Sequence, residues 1–297
     1  MKVFVVGATG YIGGTVAVAL RDAGHSVIGL ARTGERAAGL RSLGIEAVLG
    51  GFDDRTALED AAKSSDATIN VSDSDHIGVV RTLIGALAGS GKMLVHTSGS
   101  SIIVDDAKGA YASDTIVEDD APFVAMPHRL PRIAVDHAVR RAGITDGIRT
   151  AVICPTMVYG LGRGLGRDSD QIPKIAAKSR ELNAGAYIGE GANIWSNVFV
   201  EDLATLFGLV LEHAPSASFF YAENGELSLK EVAAAVSHSL GFGGKTVSWD
   251  LDAAKAELGM WPQVALATNC RVRATNARRL LGWRPAGPAL SRAQLVS

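Results

Sequence analysis

The sequence predicts an α/β protein with a doubly wound parallel sheet and a smaller, discontinuous lobe toward its C-terminal end. Three observations carry this. Short β-branched runs alternate with alanine-rich amphipathic stretches through the first half. A glycine-dense turn directly follows the first run. After Pro155 the regular alternation breaks up.

Taken in order, parallel strands are expected at Val3–Val6, Ser26–Leu30, Glu46–Leu49, Thr68–Val71 and Met93–Thr97. Their apolar runs do not alternate with polar residues, which marks strands buried on both faces. Between them, helices are expected at Tyr11–Ala23, Gly34–Leu43, Arg55–Lys63 and Ile77–Ala88. A further helix covers Pro131–Arg141, followed by a strand at Arg149–Ile153. Residues 160–166 read as a mobile glycine loop. Beyond it come a helix at Ile172–Leu182, a strand near Asn197–Val200 and a helix at Glu201–Glu212. The strand Phe219–Ala222 is expected to return to the main sheet. The remainder mixes the strand Thr246–Ser248 with helices at Ser228–Ser239, Leu251–Glu257 and Thr275–Leu281.

The 297 residues suffice to bury roughly 75% of the unfolded surface. The 29 basic and 31 acidic side chains nearly cancel without forming a basic run, which argues against nucleic acid or an anionic membrane as partner. No segment has the length and apolarity of a membrane span. Two isolated cysteines, Cys154 and Cys270, suit a reducing cytoplasm rather than a disulfide scaffold. The seven histidines lack metal-ligand spacing, so no metal is expected. A monomer or homodimer working on a small molecule is the expectation.

The turn Gly7-Ala8-Thr9-Gly10-Tyr11-Ile12-Gly13 follows a strand and opens a helix. Glycine there permits a tight turn, close backbone approach to a pyrophosphate and close helix–strand packing. The helix start offers free N–H groups and a positive dipole end to phosphate. This is a Rossmann-type dinucleotide site, expected to use Gly7, Thr9, Gly10, Tyr11, Ile12 and Gly13. NAD-binding sites usually place an acid at the end of the second strand. Here that position reads Ala31-Arg32-Thr33, and Arg32 suits the 2′-phosphate of NADP, making NAD the less favoured cofactor. Phe52 and Asp53 are expected near adenine, with Asp53 equally suited to cap the helix from Arg55. Val71 and Ser72 should pass the middle of the cofactor.

Together with His96-Thr97-Ser98, Pro155-Thr156-Met157-Val158-Tyr159-Gly160, Ser196–Ala204 and Leu281-Gly282-Trp283-Arg284-Pro285, the glycine turn resembles the extended or atypical short-chain dehydrogenase/reductases, which include the NAD(P)-dependent epimerases and dehydratases. The resemblance covers nearly the whole chain. It implies a Ser/Thr, a Tyr and a Lys around the nicotinamide, the tyrosine exchanging a proton with the substrate oxygen. Ser98 matches the first. Anchoring on Asp136 sets His128 at the tyrosine position and Arg132 at the lysine position. Arg132 cannot lose a proton, so its role is to hold ribose or phosphate oxygens. His128 is either a neutral proton carrier or simply a helix-start residue.

Strand carboxyl ends form the ligand crevice of such sheets. The pocket is therefore expected to include Pro155 and Met157 on the cofactor side, and Ser100, Tyr159, Trp195 and Asn197 on the substrate side. Trp195 would supply an apolar wall with one donor. Residues 160–166 would serve as a lid. The expected domains are 1–159, joined by 196–223, for the dinucleotide, and 160–195 with 224–297 for the substrate. Two functions fit. One is an NADP-dependent oxidoreductase or epimerase-like enzyme acting on a small carbonyl or hydroxyl compound. The other is a non-catalytic NADP-binding redox sensor or regulatory protein; the missing Tyr–Lys pair favours it, and the intact substrate lobe and Ser98 favour the enzyme.

Overall fold

A computed structural model describes residues 1–296. Seven parallel strands form the central sheet in the spatial order Ser218–Ala222, Arg149–Pro155, Met93–Thr97, Ala67–Asn70, Lys2–Val6, Ser26–Ala31, Glu46–Leu49. Chain order reverses on either side of the first strand, so the crevice at its carboxyl end is the switch point where such sheets bind ligands.

The β-period of two sorts side chains onto two faces. Val3 and Val5 pack with the helices Tyr11–Asp22 and Val200–His213, whereas Phe4 and Val6 pack with Arg55–Lys63 and Ile77–Leu87. Both sets are fully buried, as a doubly covered parallel sheet requires. Asp54, not Asp53, caps the helix Arg55–Lys63, accepting from the Ala57 N–H at 3.1 Å. Asp53 stands exposed one residue earlier.

A second apolar cluster holds Met157, Tyr159, Ile172, Ile175, Ile188, Trp195, Val232 and Trp249. It lies over a small sheet in which Ile194–Phe199 pairs parallel with Met157–Tyr159 and antiparallel with Gly225–Ser228. The expected strand Asn197–Val200 thus starts earlier and belongs to this smaller sheet. The main sheet is rejoined only by the strand Ser218–Ala222, with Val200–His213 covering one face. Ile194 and Trp195 are followed by polar Ser196 and Asn197, a pattern that hides a strand buried within the lobe.

Residues 160–166 are docked against the glycine turn. A Cβ on Gly164 would lie 2.5 Å from the Gly14 Cα, and one on Gly166 would lie 2.6 Å from the Gly10 carbonyl carbon. Arg163 fastens the loop through its N–H to Thr15 Oγ1 at 3.1 Å and its guanidinium to Asp22 at 2.7 Å. Tyr11 donates to the Gly160 carbonyl at 2.7 Å. The loop expected to be a mobile lid over substrate is a brace for the first helix.

Candidate active site

A cavity of about 650 Å³ opens where the carboxyl ends of the central strands meet the lobe. Gly10, Tyr11, Ile12 and Gly13 form one end, Val71 and Ser72 its flank, and Ser98, Ser100, Arg132, Pro155 and Trp195 the rest of its expected wall. Ser101 joins Ser98 and Ser100 on the wall, and the cavity adds residues that the sequence pattern does not mark: Arg129, Val158, Asp168 and Trp261.

The dinucleotide fit is tested by the glycines. Gly7 has φ +91°, and a Cβ on it would sit 2.2 Å from the Val71 carbonyl oxygen. A Cβ on Gly13 would sit 2.3 Å from the Gly7 carbonyl oxygen. No other residue fits either place. Gly10 caps the helix without any side-chain hydrogen bond, and the first helical bond runs from the Gly14 N–H to the Gly10 carbonyl. The N–H groups of Tyr11, Ile12 and Gly13 therefore precede the ladder and face the cavity end, as anion binding requires. Gly7 and Thr9 shape this turn from outside the cavity wall.

Arg32 directly follows the second strand and is exposed, its guanidinium 5.9 Å from the centre of the Phe52 ring. Phe52 in turn meets His76 edge-on. These residues and Asp53 lie beyond the wall of the main cavity.

Ser98 is 5% exposed and donates to Asp136 Oδ2 at 2.7 Å. Behind it, Asp136 Oδ1 and His96 Nε2 are both buried without hydrogen-bond partners and lie 3.7 Å apart. Asn70 Nδ2 contacts His96 Nδ1 at 3.2 Å, and Ser72 Oγ donates to Asn70 Oδ1 at 2.6 Å. The chain Ser98–Asp136–His96–Asn70–Ser72 thus begins and ends on the cavity wall. Burial pushes the Asp136 carboxyl up to about 7, against the opposing pull of Ser98 and Arg132. Burial and the Arg132 charge hold His96 down at about 4.

Arg132 forks onto Asp75 through two bonds of 2.8 and 2.7 Å and donates to Ser101 Oγ at 2.9 Å. Burial opposes its charge, but Asp75 more than restores it. His128 is exposed and stands outside the cavity wall, its imidazole held below the ordinary value by what burial it has and by Arg129. On the short turn Pro127–Arg129 it is Arg129 that faces the cavity. Anchoring by register could not see that turn, which breaks the helical phase before Leu130.

Three expected wall residues belong elsewhere. Met157 is fully buried in the lobe core, and Val158, next along, faces the cavity instead. Tyr159 is fully buried, its hydroxyl donating to the Pro288 carbonyl at 2.7 Å. Asn197 is buried in the small sheet opposite Gly225. The strand pleat explains the first two: Met157 and Tyr159 alternate with Val158, which faces the cavity. Trp195 does line the cavity, but its indole N–H is spent on the Thr268 carbonyl at 2.6 Å, so it offers a flat apolar face alone.

The sequence pattern of the NAD dependent epimerase/dehydratase family matches residues 3–219. The chain belongs to that family. Oxidase ucsJ from Acremonium sp is 32% identical over 328 residues, which cover 97% of this chain and 94% of that protein. The 2-alkyl-3-oxoalkanoate reductase of Stenotrophomonas maltophilia is 22% identical over 254 residues, covering 78% and 73%. Among solved structures, dTDP-glucose 4,6-dehydratase from Bacillus anthracis in complex with NAD superposes with a TM-score of 0.79 at 15% identity, covering 99% of this chain and 94% of that one. The protein is an enzyme of this epimerase, dehydratase and reductase superfamily. Among the described residues, no helix is long and apolar enough to cross a membrane.

Proposed function

We propose that this protein is an NADP-dependent oxidoreductase acting on a small carbonyl or hydroxyl compound, with Ser98 holding the reacting oxygen. The observation that carries the reading is that Ser98 and the glycine-turn helix start share one cavity. Arg32 supports NADP over NAD, because nothing acidic stands at the end of the second strand to hold a ribose 2′-hydroxyl. A reducing cytoplasm suits the two free, buried cysteines, and a monomer or homodimer is proposed.

When bound, the cofactor supplies or accepts the hydride. The chain supplies everything else. The N–H groups of Tyr11–Gly13 receive the pyrophosphate. Arg132, held by Asp75 and Ser101, would hold ribose oxygens. No tyrosine in the chain is followed four positions later by lysine. Asp136 takes over the proton. With a carboxyl raised to about 7, it holds a proton near neutral pH and can donate it to Ser98 Oγ. Ser98 then passes its own hydroxyl proton to the reacting oxygen, and in the oxidative direction the relay runs backward. His128, facing solvent, is not needed for this path.

The test is calorimetric titration with NADPH, NADP⁺, NADH and NAD⁺, followed by a carbonyl-substrate screen with the preferred reduced form. Tight NADPH binding with at least about tenfold preference over NADH supports the cofactor assignment. Binding without turnover of any carbonyl compound keeps the cofactor assignment and refutes the carbonyl-reductase one. No dinucleotide binding refutes both.

A further inference from the structure

We infer that Arg129 is the anion-binding residue of the substrate pocket, and that the substrate carries a carboxylate beside a flat apolar body. The inference rests on the oxidoreductase reading of the same cavity and names the class of compound it takes.

Arg129 lines the cavity half-buried. Among the described residues, its buried Nε has no hydrogen-bond partner and the guanidinium forms no ion pair. Asp75, the acid that acts on it, is already committed through both oxygens to Arg132. A half-buried guanidinium without partners is costly, and a fork of N–H donors with nothing to bind is what a ligand site leaves behind. Arg132, three residues on along the same helix start, adds a second positive charge. Burial and that charge both disfavour the protonated guanidinium of Arg129, and a bound anion would relieve both.

The two arginines face different neighbours. Arg132 is tied to Asp75, in the segment after the strand whose end flanks the dinucleotide site. Arg129 also stands near Cys270, whose thiol donates to Ser100 Oγ at 3.1 Å and whose backbone bridges to that of Trp195. That side is the substrate side. Trp195 and Trp261 both line it with their indole N–H groups spent, on the Thr268 carbonyl and on Asp170 Oδ2 at 3.0 Å. Their free faces can cover a flat apolar body but donate nothing to it.

Charge counting favours one negative charge. Arg132 is balanced by Asp75, and Asp170 by Lys174, whose ammonium also stands over the Trp261 ring. Asp168 lies on the opposite side, where it acts on Tyr11 beside the glycine turn. Arg129 is left as the uncompensated cation of the Ser98–Ser101 wall. A monoanion balances that single charge, and a planar carboxylate can take two parallel N–H bonds from the fork.

The experiment titrates the protein with benzoate, benzamide and phenyl phosphate by calorimetry, both saturated with NADP⁺ and without it. Benzoate is expected to bind at least about tenfold more tightly than its neutral isostere benzamide. Arg129→Gln should erase that preference while NADP⁺ affinity and Tm stay near the parent values. Arg129→Lys, which keeps the charge, should retain part of it. Equal affinity for benzoate and benzamide, a preference that survives Arg129→Gln, or tighter binding of phenyl phosphate overturns the inference. If NADP⁺ itself does not bind, the oxidoreductase reading fails, and the cofactor-free titrations still decide the anion site.

Discussion

Ser98 Oγ and Asp136 Oδ2 lie 2.7 Å apart, joining a cavity-wall hydroxyl to a carboxyl that is only 3% exposed. This carboxyl makes a prediction about stability before any substrate is known. Its value is raised from 3.8 to about 7, so between these the folded chain keeps a proton that the unfolded chain has released. Stability from this source is present below 3.8 and lost as pH rises through about 7. His96 works in the opposite sense. Its value falls from 6.5 to about 4, so its contribution is present above 6.5 and lost as pH falls through about 4. Between about 4 and 6.5 the two slopes cancel. Asp75 and Arg132 also act on Asp136, but their charges persist through that window. Asp136→Asn should therefore tilt the stability profile upward with pH relative to the parent, by about 1.4 kcal/mol per pH unit. Urea unfolding at pH steps from about 4.5 to 7 reads this difference. Parallel profiles for parent and variant would show that Asp136 does not keep its proton.

The same pair predicts a division of labour in turnover. Ser98→Ala removes the hydroxyl proposed to hold the reacting oxygen and should lower kcat for carbonyl reduction by about 10²-fold or more. His128→Ala removes an exposed side chain and should change kcat less than about twofold. In the parent, reduction should weaken as pH rises through about 7, where Asp136 loses the proton it would donate. A His128→Ala loss as large as that of Ser98→Ala would return the proton to the histidine and refute the relay.

The strands and the glycine turn were legible because their signals are local: a buried run, then three glycines at fixed spacing. Ser98 was legible for the same reason, as the residue that ends a strand beside the switch point. The residues that complete the site act through contacts distant in sequence. Asp75 reaches Arg132 across 57 positions, and Asp136 reaches Ser98 across 38. Trp261 arrives from a short helix, Trp261–Ala265, with no motif of its own. Arg129 had a partial signal, two arginines three apart at a helix start, but the turn Pro127–Arg129 decides which side chain faces inward. Tyr159 and Met157 lie off the cavity because being near a strand end does not settle which face of the pleat a side chain takes, whereas Asn197 shares Trp195's face but sits further along the strand, opposite Gly225.

Cofactor choice is tested at Arg32. Its exposure and its seat over Phe52 leave the guanidinium free to meet a 2′-phosphate at the edge of the dinucleotide site. Arg32→Ala should weaken NADPH binding by roughly 10- to 150-fold and leave NADH within about twofold. Raising salt should narrow the parent's preference as well, because the contact is exposed to screening. Equal losses for both dinucleotides would mean that Arg32 shapes the turn and does not read the phosphate.

The brace on the glycine turn is tested at Gly164. Its hydrogen faces the Gly14 backbone, and a methyl there would meet the Gly14 Cα at 2.5 Å and the Gly14 carbonyl carbon at 2.7 Å. Backbone cannot move aside as a side-chain tip can, so Gly164→Ala must lift the loop from the helix start. The expected cost is about 1–3 kcal/mol of stability. Hydrogen exchange should rise in 160–167 and across the first turn of Tyr11–Asp22, because the Arg163 N–H to Thr15 Oγ1 bond goes with the loop. Dinucleotide affinity should fall in step, since the N–H groups of Tyr11–Gly13 lose their rigid backing. Gly208→Ala is the matched control. It lies within Val200–His213 with nothing inside 4 Å of a new Cβ, and should stabilise by about 0.5–1 kcal/mol through helix propensity. If Gly164→Ala binds dinucleotide as the parent does while exchange in the loop rises, the loop is only packing, and the turn is rigid without it.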